Sequence, residues 1–140
     1  MTPITFYIPC LFGLEALVGD ELRRLHLKDI RVENGHVLCC GTVADVARLN
    51  LNLRCGERVL VVLGAFTASS FDALFEQTKA LPWENWIPRD GAFPVKGYSL
   101  DSQLHSVPDC QAIVKKAAVD RLGANYGLSW LPETGATYQI

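Results

Sequence analysis

No apolar run in the sequence approaches 18 residues, basic side chains are not in excess, and no two cysteines stand in a CxxC pair. The first absence argues against a membrane-spanning helix. The second argues against a module that holds nucleic acid by charge alone: 13 Lys and Arg face 15 Asp and Glu, for a formal net charge of -2. The third argues against a zinc or redox motif. Cys10, Cys39, Cys40, Cys55 and Cys110 are odd in number and have apolar or helical flanks, so reduced, mostly buried thiols are expected. Cys39 and Cys40 are adjacent and would point to opposite faces of a strand. His26, His36 and His105 are scattered, so no structural zinc site is expected. The opening MTPITFYIPC has no basic segment ahead of an apolar one, and the expected location is cytoplasmic. There is no GxGxxG after a strand, no Walker loop, and no His with Ser, Cys or acid in a catalytic motif order. Isolated acids such as Glu84 and Asp101 read as surface residues rather than general bases.

What is present is enough apolar material for a real core: 49% hydrophobic against 20% charged residues over 140 positions. TFYIP, residues 5–9, predicts a short strand ended by proline. Gly13 opens GLEALVGDELRRLHL, in which Leu14, Leu17, Val18, Leu22 and Leu25 recur at helical spacing; Glu21, Arg23, Arg24 and Lys28 fall on a solvated back. In IRVENGHVLCCG, Asn34-Gly35 between two strand-like runs predicts a hairpin. Thr42 caps the helix VADVARLNLNL with Asp45 as capping-box acid, and Val43, Val46, Ala47 and Leu51 form its expected apolar face. ERVLVVLGAF reads as a strand. Strand, helix, strand, strand, helix, strand is the ferredoxin-like order, expected over residues 1–65.

The remainder, residues 66–140, has a different texture, with eight acids against six bases. Ser69 or Ser70 caps FDALFEQTKAL, with Phe71, Leu74 and Phe75 inward and Asp72 in the first turn. LPWENWIPRDGAFP reads as a linker or extended crossing, PVKGYS as a strand, and ATYQI as the start of one. SVPDCQAIVKKAAVDRL predicts a helix, with Ser106 as N-cap accepting a backbone N–H, Pro108 tolerated in the first turn and Asp109 at N3. Cys110, Ile113, Val114 and Ala117 fall on its packed side. Lys115, Lys116 and Arg121 are left outside, and Gln111 projects with Lys115.

GLEALVGDELRRL, VENGHV and, above all, TASSFDALFEQTKALPWENWIPRDGAFPVKGYSLDSQLHSVPDCQAIVKKA resemble the amino-terminal region of a family of large bacterial RNA methyltransferases. These were once described as N6-adenine-specific DNA methylases, and many are now understood as guanine-N2 methyltransferases of 23S ribosomal RNA. The resemblance implies an α+β chain: a ferredoxin-like domain followed by a THUMP α/β domain that lacks its last strands. It implies an RNA-binding module, with structured RNA and a downstream methyltransferase domain as partners. S-adenosylmethionine would belong to that downstream domain and not to this stretch, where Asn85-Trp86-Ile87-Pro88 is not the family's active-site tetrapeptide. On this reading Lys115, Lys116 and Arg121 contact phosphate, Lys96 and Lys79 extend the patch, Gln111 binds RNA beside Lys115, and Tyr98 and His105 stack on an unpaired base. Two other readings compete. One is a protein-interaction scaffold, self-association included, that uses exposed sheet edges. The other is an enzyme with a site between the halves.

Overall fold

The alternation in the first strand survives as β1, Ile4–Pro9, where Ile4, Phe6 and Ile8 are buried while Thr5, Tyr7 and Pro9 stay half-exposed. A computed structural model describes residues 2–140, which form a first unit ending at Leu63 and a second, Gly64–Ile140. In the first unit β1 is followed by helix α1, Glu15–Arg24, strands β2, Lys28–Glu33, and β3, His36–Gly41, helix α2, Val43–Asn52, and strand β4, Leu60–Val61. The sheet order is β2-β3-β1-β4, with β1 antiparallel to both β3 and β4. This is the ferredoxin-like arrangement. Glu33 pairs with His36, so Asn34 and Gly35 make the two-residue turn. Phe6, Ile8, Val37 and Cys39 face the helices, where Val18, Leu22 and Leu49 complete the core.

Several local expectations change. On α1, Leu17 is exposed although it falls within the predicted stripe, and Glu21 is more than a solvated side chain. Its carboxylate accepts from the backbone N–H of Arg54 and Cys55, at 3.2 and 3.3 Å, and ties down the segment after α2. On α2 the predicted apolar face is rotated: Val43 is exposed and Leu51 is 84% exposed, while Asp45 and Leu49 are buried. The capping box explains the phase. Thr42 N–H donates to Asp45 Oδ2 at 2.7 Å and Arg48 pairs with the same carboxyl group, which turns the Asp45–Leu49 line inward. The strand over ERVLVVLGAF shortens to Leu60–Val61. Among the described residues its neighbour is β1, with Leu60 opposite Tyr7 and Val61 opposite Phe6, and Val62 N–H donates to Thr5 O at 2.9 Å.

In the second unit α3, Phe71–Lys79, starts at Ser70, whose Oγ accepts from Ala73 N–H at 3.1 Å. Phe71 is exposed and Leu74 and Phe75 are half-buried, a correction to their inward placement; Thr78 is the buried residue of this helix. A 3-10 turn, Trp83–Asn85, occupies the proline-rich crossing. Trp83 lies in the core with its indole N–H donating to Thr78 O at 2.8 Å. The long helix α4, Val107–Tyr126, buries Ala117, Ala118 and Leu122 alongside Phe93, Ile87 and Leu131. Its cap differs from expectation. Ser106 makes no bond to a backbone N–H; its hydroxyl donates to the Asp109 carboxylate, the stronger acceptor within reach. Residues 92–96 and 136–140 run in parallel, joined by Ala92 N–H to Ala136 O, Tyr138 N–H to Ala92 O, Ile140 N–H to Pro94 O and Lys96 N–H to Ile140 O. The predicted strand over PVKGYS is thus paired only at its start. With α4 as the crossover, this is a β-α-β connection.

Candidate nucleic-acid interface

The residues selected from the sequence divide into three groups. Lys96, Tyr98 and Gln111 line one cleft of about 400 Å³ in the second unit, between the 95–104 segment and the first turns of α4. Its floor is apolar, with Leu74, Leu104, Val107 and Val114. Lys96 is the single charged side chain among its lining residues and has no ion-pair partner among the described residues. Tyr98 is 76% exposed at this cleft. The loop that frames it is held by Ser99 Oγ donating to Leu104 O at 3.1 Å and by Leu104 N–H donating to Ser102 Oγ at 3.2 Å.

A second group gathers at Phe75. The ammonium groups of Lys79 on α3 and Lys116 on α4 each lie 5.7 Å from the centre of its ring. Neither has a carboxylate partner among the described residues. Packing of α3 on α4 therefore places two uncommitted cations on one aromatic side chain.

The third group is turned inward. Lys115 does not project with Gln111 into solvent. Its Nζ donates to Phe93 O at 3.0 Å and to Glu133 Oε1 at 2.8 Å, and lies 3.7 Å from the centre of the Phe93 ring. Arg121 forms a two-pronged pair with Glu84, Nε to Oε2 at 3.0 Å and Nη2 to Oε1 at 2.6 Å. The Arg121 guanidinium holds the Glu84 carboxyl below its ordinary range. Both side chains are only partly exposed, which corrects their placement outside the packing. Periodicity could not show this. The acids lie 18 and 37 residues away in sequence, beyond the reach of any local pattern. His105 is exposed, with Nδ1 3.3 Å from Gln103 O, and is not among the cleft's lining residues. Among the described residues no cluster of His, Cys, Asp and Glu could hold a metal ion, and no helix is long and apolar enough to cross a membrane.

Known proteins share this architecture. Residues 5–60 match the RlmL ferredoxin-like domain and residues 68–140 match the THUMP domain. The chain is 44% identical to YpsC of Bacillus subtilis over 142 residues, which covers 100% of this chain and 37% of that protein. It is 30% identical to the ribosomal RNA large subunit methyltransferase K/L of Pseudomonas putida (strain W619), over 87% of this chain and 17% of the relative. A crystal structure from Listeria monocytogenes, described as a predicted N6-adenine-specific DNA methylase, superposes with a TM-score of 0.95 at 51% identity, over 99% of this chain and 37% of the other. The structure of SMU.472 complexed with SAH gives a TM-score of 0.93 at 41% identity, over 100% of this chain and 38% of the other. The chain belongs to the THUMP family, with an RlmL-type ferredoxin-like domain ahead of its THUMP domain.

Proposed function

We propose that this chain is the RNA-binding, substrate-positioning part of an S-adenosylmethionine-dependent RNA methyltransferase, and that the RNA is 23S ribosomal RNA, methylated at a guanine N2. The pair of uncommitted ammonium groups at Phe75 carries the RNA-binding part of this reading. Two mobile cations with no internal carboxylate are suited to phosphate, and such contacts position RNA without reading sequence. Lys96, at the mouth of an apolar cleft that also presents Tyr98 and Gln111, adds a third phosphate contact beside a surface fit for a base. Lys115 and Arg121 serve indirectly, by tying α4 to Glu133 and Glu84. The ribosomal target is supported by the name of the Pseudomonas relative, and the methyl donor by the SAH held in SMU.472.

The methyl donor does not fit the residues present here. The cleft's lining includes no acidic side chain to accept from ribose hydroxyls, and its one charged side chain is the cation of Lys96. The chain spans 37% of YpsC and 17% of the Pseudomonas enzyme, and the transfer step is assigned to residues outside it.

The test is RNA affinity across a range of salt concentrations. Lys79→Ala with Lys116→Ala is expected to weaken binding and to flatten the log–log salt slope by about 0.7 for each single-stranded phosphate that is no longer neutralised. Lys115→Ala should lower thermal stability and leave that slope nearly unchanged. Equal slopes for the wild type and the Lys79/Lys116 double variant would remove the assignment.

A further inference from the structure

The first unit has a sheet face that its own helices do not use. Both helices pack on the side of Phe6, Ile8, Val37 and Cys39. On the opposite side Thr5 lies across from Cys40 and Arg31 across from Leu38, and Tyr7 stacks on His36 with ring centres 4.3 Å apart and planes 15° from parallel. Tyr7 is on β1 and His36 on β3, so the stack stands on the two central strands. Lys28 and Arg31, exposed on β2, share that face through their pairing with Cys40 and Leu38, and neither has an ion-pair partner among the described residues. Among the described residues, the acid that pairs onto this face is Glu33, 3.1 Å from His36 Nε2.

We propose that this face, half-buried at Tyr7, His36 and Leu38 and exposed at Lys28 and Arg31, is a second RNA-contact surface, on which unpaired bases stack against the Tyr7–His36 pair while their phosphates meet Lys28 and Arg31. Flat rings at the centre of a four-stranded sheet, with cations along one edge, match the chemistry of single-stranded RNA, whose bases offer π-faces and whose backbone offers negative charge. A duplex hides those base faces, so the surface discriminates by strandedness and not by sequence. It would add a grip on flexible segments to the phosphate contacts of the second unit. The choice of RNA as occupant rests on the RNA-binding reading above; the site itself lies in a unit to which that reading assigns no contact.

The experiment uses this chain with a short oligouridine carrying 4-thiouridine and, separately, with a duplex of equal length. Crosslinks are expected in the peptides that hold Tyr7 and His36. His36→Ala with Arg31→Ala, checked for an unchanged melting transition, should weaken oligouridine binding about fivefold or more and leave duplex binding within about twofold. Crosslinks confined to residues 64–140, with the variant binding like the wild type, would overturn the open-face site and leave the function of the second unit standing. Absence of any RNA binding by the wild type would overturn both. A variant that changes sedimentation but not RNA affinity would show a self-contact surface instead and would also overturn the proposal.

Discussion

At the scale of single residues, the decisive question is which charged groups already have a partner. Lys115 and Lys116 are neighbours, yet one is bound to Glu133 and Phe93 and the other reaches only toward a ring. The internal pairs make stability depend on pH. Hydrogen bonds from the Thr42 backbone hold Asp45 low, and the Arg121 side chain holds Glu84 low. Their folded-state pKa values lie below the unfolded ones, so the stability they contribute is complete above the usual carboxylate range near about 4 and is lost as pH falls through the folded values. The melting temperature should therefore hold steady from neutral pH to about 5 and drop below about 4; Glu84→Gln should start lower and drop less over the same interval, as a thermal scan at each pH would show. Cys39 gives an independent check. Burial pushes its thiol up to about 12. A thiol reagent at pH 8 should modify the half-exposed Cys40, Cys55 and Cys110 well before Cys39, as peptide mapping over time would reveal. If Cys39 reacted first, its burial against the helices would be wrong.

At the scale of elements, the sequence is most legible where one local device sets the structure. Asn34-Gly35 marks the hairpin, and Thr42 with Asp45 marks the start of α2, because turn and cap chemistry act within a few residues. It is least legible where a neighbour decides. The strand predicted over ERVLVVLGAF is cut to the two residues that pair with β1, and the buried face of α2 depends on how its cap is rotated against the sheet. The end of α4, in contrast, is set by a device that acts within five residues. Gly127 takes a left-handed φ of 64°, and the chain folds back so that Leu128 N–H donates to Gly123 O at 2.9 Å. A Cβ at position 123 would sit 2.8 Å from Leu128 O, a backbone atom that cannot step aside. Gly123→Ala should cost about 1–3 kcal/mol, the usual range for overpacking, and be visible in urea denaturation. Thr42→Ala should cost about 1 kcal/mol through removal of the cap.

At the scale of the whole molecule, the chain has two separate cores, one around Phe6, Leu22 and Leu49 and the other around Trp83, Phe93 and Leu122. Residues 64–67 between them are exposed and belong to neither helix nor strand. Limited proteolysis should cut there first and release two fragments that resist further digestion; early cuts inside α4 would contradict two self-supporting cores. Of the candidate interface, the cleft group of Lys96, Tyr98 and Gln111 is assembled from segments that the family resemblance singles out. The Phe75 group cannot be read from spacing, because it needs the packing of α3 on α4. The parallel pairing of residues 92–96 with 136–140 bears on how the protein is made. On the ribosome the first of these stretches emerges early and finds no strand to join until synthesis has passed α4 and reached Ile140. The first unit, whose hairpin partners are adjacent in sequence, can close during that interval, so the second unit closes after the first and is, of the two, the one a chaperone would have to shield longer.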